Sequence, residues 1–325
     1  MAELDLTGHW TGLLSLAIFV IAYILVVFEE ATEMRKSKPV MVAAGLIWAL
    51  IGVGFTLAGD PESAHEAALH VIEEYGELFL FLIVAITFVN TMEERRTFEV
   101  LRARLVGLGL GFRALFLLTG ILSFFLSAAL DNMTTALIMG AVVMAIGREN
   151  PRFVAVSCVS LVVAATAGGA LSPLGDITTL MVWQKGKLDF FEFFALFLPS
   201  LLNWLVPAAF MVLAVPNLKP TAPPERVFGK PGMMGVVVLF AVAIGLAVSF
   251  KNFLNLPPAL GMMLGLGFLQ MFAYYLSRTG YRRSDSDMVL DSFHQVQRVE
   301  WDTLFFFFGI IFAVGGLGVL GYLSF

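Results

Sequence analysis

The sequence predicts an all-α protein that crosses a membrane many times, and three observations predict this fold class. Of its 325 residues, 59% are hydrophobic and 14% are charged, with a mean hydropathy of +0.87, whereas a water-soluble chain carries about a quarter charged residues. Eight apolar runs are long enough for helices that cross a bilayer. Two apolar stretches are interrupted by short polar or glycine-rich segments.

The predicted spans follow the apolar runs. They lie at 11–28, 40–58, 77–91, 153–183, 190–215, 233–250, 257–276 and 303–324. The net charge of -5 excludes a nucleic-acid binder held by a basic face, because phosphate affinity is carried by clustered Lys and Arg. Cys158 is the single cysteine, so the sequence predicts no disulfide within the chain.

Two non-helical breaks are predicted at membrane depth. The apolar stretch 114–147 is cut at 131–135, and its second arm of 12 residues reaches only about 18 Å, which predicts a re-entrant hairpin with a polar tip. The span 153–183 is broken by Gly168–Asp176. Lipid forbids exposed irregular backbone, so both breaks are expected to line protein or a water-filled cavity.

The basic residues predict the orientation in the membrane. Segments 29–39, 92–113, 148–152, 216–232 and 277–302 together hold 17 of the 20 Lys and Arg residues. The positive-inside rule makes that side cytoplasmic. The N-terminus is therefore predicted to be external, and the hairpin is predicted to enter from the cytoplasm and return to it.

A weak internal repeat predicts the domain organisation. Glu74–Phe81 and Glu300–Phe307 share four identities in eight at an offset of 226, and the predicted orientations of the two regions are opposite. Inverted repeats with broken helices are typical of secondary transporters. We expect residues 1–215 to form a first repeat and 216–325 a linker and the beginning of an incomplete second repeat, because counterparts of the two breaks would lie past Phe325.

The two breaks also carry a family resemblance. Asp131-Asn132-Met133-Thr134-Thr135 and the later Ser172-Pro173-Leu174-Gly175-Asp176-Ile177-Thr178-Thr179 resemble motifs of the NhaD-type Na⁺/H⁺ antiporters of the ion transporter superfamily. The resemblance covers essentially the whole chain. It implies exchange of Na⁺ or Li⁺ for H⁺, with no enzymatic activity and no cofactor, by a homodimer in a bacterial inner membrane or a chloroplast envelope.

By motif position, the resemblance also implies a cation and proton site. Its residues would be Ser127, Asp131, Asn132, Thr134, Asp176, Thr178 and Thr179, with Na⁺ at Asp131, Asn132 and Asp176. One departure is Thr166, which stands where the family commonly has asparagine. We carry Thr166, Glu77 and His70 as supporting residues.

The chemistry of these residues agrees with that expectation. A carboxylate at the centre of a membrane helix costs about 2.5–3.5 kcal/mol, so Asp131 and Asp176 each need a compensating partner. A hard cation held by carboxylate, carbonyl, amide and hydroxyl oxygens is one such partner. Burial favours the protonated form of a carboxylic acid, so a proton is another, and competition between the two is antiport.

Other interpretations are open at this stage. Asp131 and Asp176 could be plain helix caps, and His70 and Glu77 belong to an acidic segment, 60–77, that we expect to be an external solvated loop. A dicarboxylate or arsenite transporter would share the fold, although Asp131 repels an anion. An intramembrane aspartyl protease also uses two aspartates.

Cysteine labelling tests the predicted orientation. In a variant with Cys158 replaced by serine, a cysteine at Asp189 should react with a membrane-impermeant thiol reagent added to intact cells, and one at Arg96 should not. The reason is the distribution of basic residues, 17 on the side of Arg96 and 3 on the other. Labelling at Arg96 and protection at Asp189 would reverse the assignment.

Overall fold

The computed structural model describes residues 6–148, 150–219, 227–283 and 290–323, and these residues form helices and no strand. The all-α prediction is therefore confirmed. The chain divides into two compact units, one of residues 1–83 with 299–325 and one of residues 84–298. Each unit is described by itself below.

The helices of the described residues are numbered in chain order. They are α1 Trp10–Val27, α2 Glu29–Thr32, α3 Ser37–Ala58, α4 Pro61–Glu94, α5 Thr97–Gly107, α6 Phe112–Ser127, α7 Asn132–Ile146, α8 Pro151–Gly169, α9 Ile177–Gln184, α10 Phe197–Ala214, α11 Met233–Leu254, α12 Pro258–Arg283, α13 Ser292–Gln297 and α14 Trp301–Val319. A 3₁₀ turn, Glu192–Leu196, leads into α10.

The predicted membrane spans are all present as helices. Among the described residues, eight helices are long and apolar enough to cross a bilayer: α1, α3, α4, α8, α10 with its preceding turn, α11, α12 and α14. On α10 large apolar side chains such as Leu205, Phe210 and Leu213 are exposed. Such surfaces are expected of helices that face lipid, and the chain is a multi-pass membrane protein.

The predicted loop at 60–77 is wrong, because this acidic segment is the first half of α4. Asp60 precedes the helix, and its carboxylate accepts the Ser63 amide at 3.3 Å and the Ser63 hydroxyl at 2.6 Å. Pro61 at the first helical position needs no amide partner there. Hydropathy places the start of the span at Glu77, but the helix begins earlier, because a helix needs satisfied backbone bonds and not apolar side chains.

The first unit is built on close packing of α3 against α14. A Cβ on Gly309 would lie 2.6 Å from the Val40 carbonyl carbon, and one on Gly316 would lie 2.8 Å from Ile47. Both pairs are seven residues apart along their helices, so the two glycines form one seam that lets the helices approach. The Trp48 indole also donates to the Phe312 carbonyl at 2.9 Å.

The second unit is arranged around α8, which packs against α6, α7 and α10. The buried residues of this core include Phe112, Phe116, Phe124, Met139, Val143, Phe153, Leu161, Ala164 and Trp204. The Trp204 indole donates to the Ser160 hydroxyl at 3.2 Å. Elsewhere in this unit α11 packs along α12. The core therefore fixes α6 and α7 by burying both against one helix.

The predicted hairpin is present as two short helices, but its predicted tip is displaced. The break covers residues 128–131, and the predicted tip residues 132–135 form the first turn of α7. The displacement arises because Asp131 caps a helix that starts at the next residue. The second helix thus has 15 residues rather than 12. The re-entrant course in a bilayer and the repeat boundaries stay predictions.

The glycine seam of the first unit generates a stability prediction. Gly309→Ala should lower the melting temperature of the detergent-solubilised protein, because its methyl group would press on Val40, and overpacking costs about 1–3 kcal/mol. Gly45→Ala on α3 is the control, since nothing lies within 4 Å of a Cβ there. Equal melting temperatures for the two variants would contradict the packing.

Candidate cation site at two helix breaks

The two predicted breaks lie in the second unit and touch each other through glycines. A Cβ on Gly168 would collide with the Phe124 carbonyl of α6. A Cβ on Gly175 would lie 2.5 Å from both the Ser127 and the Gly169 carbonyl oxygens. Only glycine permits backbone segments to approach so closely. The end of α6 is therefore held directly against both ends of the second break.

Two serine hydroxyls join the same segments. Ser127, which is buried, donates to the Ala165 carbonyl of α8 at 2.6 Å. Ser172, in the second break, donates to the Ala128 carbonyl in the first break and accepts the Leu174 amide at 3.1 Å. Sequence reasoning missed Ser172, although a serine between the Gly168-Gly169 pair and Gly175 in an apolar run indicates a polar junction. These bonds tie the two breaks into one structure.

Asp131 is the N-cap of α7. Its carboxylate accepts the Thr134 amide at 2.8 Å and also the Thr134 hydroxyl. Asp131, Asn132 and Thr134 are half-buried. The predicted residues of the first motif therefore lie at one helix start. The Asp131 carboxylate makes the hydrogen bonds of a helix cap, as the capping alternative expects.

Asp176 is the N-cap of α9, and its carboxylate accepts the Thr178 amide at 3.1 Å. Thr179 donates its hydroxyl to the Asp176 carbonyl at 2.7 Å and to the Ser172 carbonyl at 3.0 Å. Asp176 and Thr179 are half-buried, whereas the Thr178 side chain is exposed. The second break thus repeats the arrangement of the first, with an aspartate opening a helix.

None of the three supporting residues belongs to the broken segments 128–131 and 170–176. Thr166 lies on α8 with an exposed side chain. His70 and Glu77 belong to the first unit, where His70 is exposed and pairs with Glu74 at 3.2 Å one helical turn along α4. The structure therefore joins the two motifs in the second unit through the contact of Gly175 with Ser127 and the bond from Ser172 to Ala128.

Four helix ends define the electrostatics of the joined breaks. The C-terminal ends of α6 and α8 meet here, and the partial negative charge of a helix C-terminus favours a cation. The N-terminal ends of α7 and α9, which would disfavour a cation, are each capped by a carboxylate. The arrangement is therefore suited to a positive ion.

The available ligands are oxygens. Carboxylates, hydroxyls and main-chain carbonyls are donors that hard cations prefer. In the described ranges no group of three His, Cys, Asp or Glu side chains is arranged to hold a metal ion.

Comparisons with known proteins place the chain among transporters. A family model described as the citrate transporter family, CitMHS, matches residues 23–325. The chain is 50% identical to the Na(+)/H(+) antiporter NhaD of Halomonas elongata, over 99% of this chain and 69% of the relative. It is 48% identical to the Na(+)/H(+) antiporter NhaD of Vibrio cholerae, over 99% of this chain and 71% of the relative.

A more distant plant protein shows the same similarity along most of the chain. The sodium/proton antiporter 1 of Arabidopsis thaliana is 29% identical over 94% of this chain and 52% of the relative. The similarity therefore extends through both motifs and both units.

The serine bridge between the breaks is testable by hydrogen exchange. Ser172→Ala should increase amide exchange in segment 170–176, because the Leu174 amide loses its acceptor. The matched control is Ser249→Ala, which removes a hydroxyl bonded only to the Gly245 carbonyl of its own helix at 2.7 Å. Unchanged protection of segment 170–176 in Ser172→Ala would show that the bridge does not hold the breaks together.

Proposed function

Because the chain belongs to the family of NhaD-type Na⁺/H⁺ antiporters, we propose that it exchanges Na⁺ for H⁺ at the two joined helix breaks. The protein is a secondary transporter and not an enzyme. One observation supports this location for the exchange. Asp131 and Asp176 each cap the start of a helix, and the two breaks are held close together at Gly168 and Gly175.

We assign the cation to oxygens of the two breaks. Asp131 and Asp176 supply charge, and the Asn132 amide with the Ser127, Thr134, Thr178 and Thr179 hydroxyls supply neutral oxygens. The two helix C-termini that meet there add the negative ends of their dipoles. A dehydrated Na⁺ needs several oxygen ligands at once, and two converging breaks offer more main-chain carbonyls than an unbroken helix does.

Exchange follows from the charge of the site. A carboxylate away from bulk water is stabilised when its charge is neutralised, and either a proton or Na⁺ does this. Each therefore lowers the affinity for the other, since both occupy the same carboxylate oxygens. A gradient of one ion across the membrane then drives the other in the opposite direction, provided the site opens to each side in turn.

The finer properties are part of the same proposal. Li⁺ is a second substrate, because it is a hard monovalent cation with the same preference for oxygen. The membrane is a bacterial inner membrane, rather than a chloroplast envelope, with the N-terminus external, as the basic residues of the loops predict. The unit of assembly is a homodimer, as the superfamily resemblance implies.

The description of the family model raises citrate as another substrate. The two carboxylates at the joined breaks would repel a tricarboxylate. The segments 114–147 and 153–184 contain no Lys or Arg that could bind its charges. Citrate uptake by vesicles that show no Na⁺-dependent proton movement would favour the anion over Na⁺/H⁺ exchange.

Replacement of the capping aspartates tests the proposal. In everted vesicles from cells without other Na⁺/H⁺ antiporters, Asp131→Asn and Asp176→Asn should each reduce Na⁺-induced collapse of the pH gradient by at least about tenfold. Asparagine caps helices as well as aspartate does, so the substitution removes the charge and keeps the cap. A fluorescent pH-gradient dye provides the measurement.

The matched control is Asp291→Asn. Asp291 caps α13 by accepting the Phe293 and His294 amides at 3.0 and 3.2 Å, and it is exposed outside the two breaks. This variant should exchange like the wild type. Wild-type exchange by both Asp131→Asn and Asp176→Asn would show that the two carboxylates serve only as caps.

A further inference from the structure

A threonine hydroxyl one turn inside α7 is fully buried and has no hydrogen-bond partner among the described residues. Thr135 is 0% exposed, and its Oγ1 atom is unsatisfied. The hydroxyls of Thr91 and Thr119, also buried, donate to carbonyls four residues earlier at 2.7 and 2.8 Å. The corresponding acceptor for Thr135 is the Asp131 carbonyl, which accepts only the Thr135 amide, at 3.0 Å.

The position of Thr135 places its side chain beside the first break. Residues four apart lie above one another on the same face of a helix, and Cα–Cβ bonds tilt toward the helix N-terminus. The Thr135 side chain is therefore inclined toward the end of α7 that Asp131 caps.

The rest of that helix face provides no polar group. The buried residues beyond Thr135 on α7 are Met139, Val142, Val143 and Ile146, and all four belong to the apolar core shared with α8. A buried polar atom without a partner is destabilising and is uncommon in folded proteins. Within the sequence of α7, Asn132–Ile146, the polar side chains lie at Asn132, Thr134 and Thr135, beside the break.

Neighbouring Thr134 differs from Thr135 in what its hydroxyl does. Thr134 uses its hydroxyl hydrogen on the Asp131 carboxylate, and its amide bonds to the same carboxylate. The Thr135 oxygen makes no such bond, so both of its lone pairs are unused within the described protein. The hydroxyls of the two adjacent threonines therefore differ, since one is bonded to the capping carboxylate and the other has no bond among the described residues.

We propose that the Thr135 hydroxyl is a further oxygen ligand of the transported Na⁺, beside the Asp131 carboxylate. The inference rests on the proposed function, since it assigns a ligand to the same exchange. A neutral oxygen adds coordination without adding charge, so it raises the affinity for Na⁺ and leaves the balance between proton and cation to the carboxylates. The otherwise unsatisfied hydroxyl then has its partner when the cation is bound.

The test compares Thr135→Val with Thr135→Ser. Valine keeps the branched shape and removes the hydroxyl, whereas serine keeps the hydroxyl and removes a methyl group. In everted vesicles, Thr135→Val should raise the apparent KM for Na⁺ by about tenfold, the size expected for one lost polar contact to a charged group. Thr135→Ser should stay within about twofold of the wild type.

Melting temperature separates a ligand from a structural hydroxyl. Because the Thr135 oxygen makes no bond within the described protein, Thr135→Val should melt no lower than the wild type in Na⁺-free detergent. The control is Ser157→Ala, which removes another buried, unpartnered hydroxyl, on α8, and should leave the KM for Na⁺ unchanged.

The outcomes distinguish this inference from the proposed function. Wild-type vesicles without Na⁺-dependent proton movement would refute the antiport proposal itself. Active wild-type vesicles with an unchanged KM in Thr135→Val, or with equal increases in the valine and serine variants, would overturn the role of the hydroxyl. If the valine variant fails to insert, Thr135→Ser and Thr135→Ala form a second pair that differs only in the hydroxyl, and equal KM values for that pair would overturn the role.

Discussion

The contact between the end of α6 and the second break is the constraint on which the site depends. At Gly168 and Gly175 the approach is so close that a single methyl group would meet a main-chain carbonyl. Such contact leaves the two breaks little freedom to shift, because packed protein interiors resist small displacements. Asp131 lies four residues after Ser127, and Asp176 directly follows Gly175. The contact between Ser127 and Gly175 therefore fixes the positions of both capping residues.

The same junction explains why irregular backbone is tolerated in an apolar core. Unpaired carbonyl and amide groups are costly in lipid, and here hydroxyls satisfy several of them. The Ser127 hydroxyl donates to the Ala165 carbonyl. The Ser172 hydroxyl donates to the Ala128 carbonyl, and the Thr179 hydroxyl donates to the Ser172 carbonyl. The breaks are thus stabilised by short side chains from within the two motifs.

The sequence predicted the helices better than the contacts between them. Apolar runs located all eight spans, and polar interruptions located both breaks. Hydropathy could not predict that 60–77 is helical, because it measures only how apolar a segment is. Glu and Ala have high helix propensity although the segment is not apolar enough to indicate a span. The interlock of Gly175 with Ser127 depends on residues 48 positions apart, so no local pattern contains it. The unsatisfied Thr135 hydroxyl likewise becomes apparent only when its surroundings are known.

A helix cap is compatible with proton exchange in a way that an isolated buried carboxylate is not. At Asp131 the carboxylate accepts the Thr134 amide, and α7 begins at the next residue. A protonated carboxylic acid keeps an oxygen that still accepts an N–H group. If the proposed exchange takes place at Asp131, the cap can form with a proton, a cation or neither on the carboxyl group. In the proposed exchange the charge of such a carboxyl group changes, and its place at a helix start allows that change without unwinding the helix.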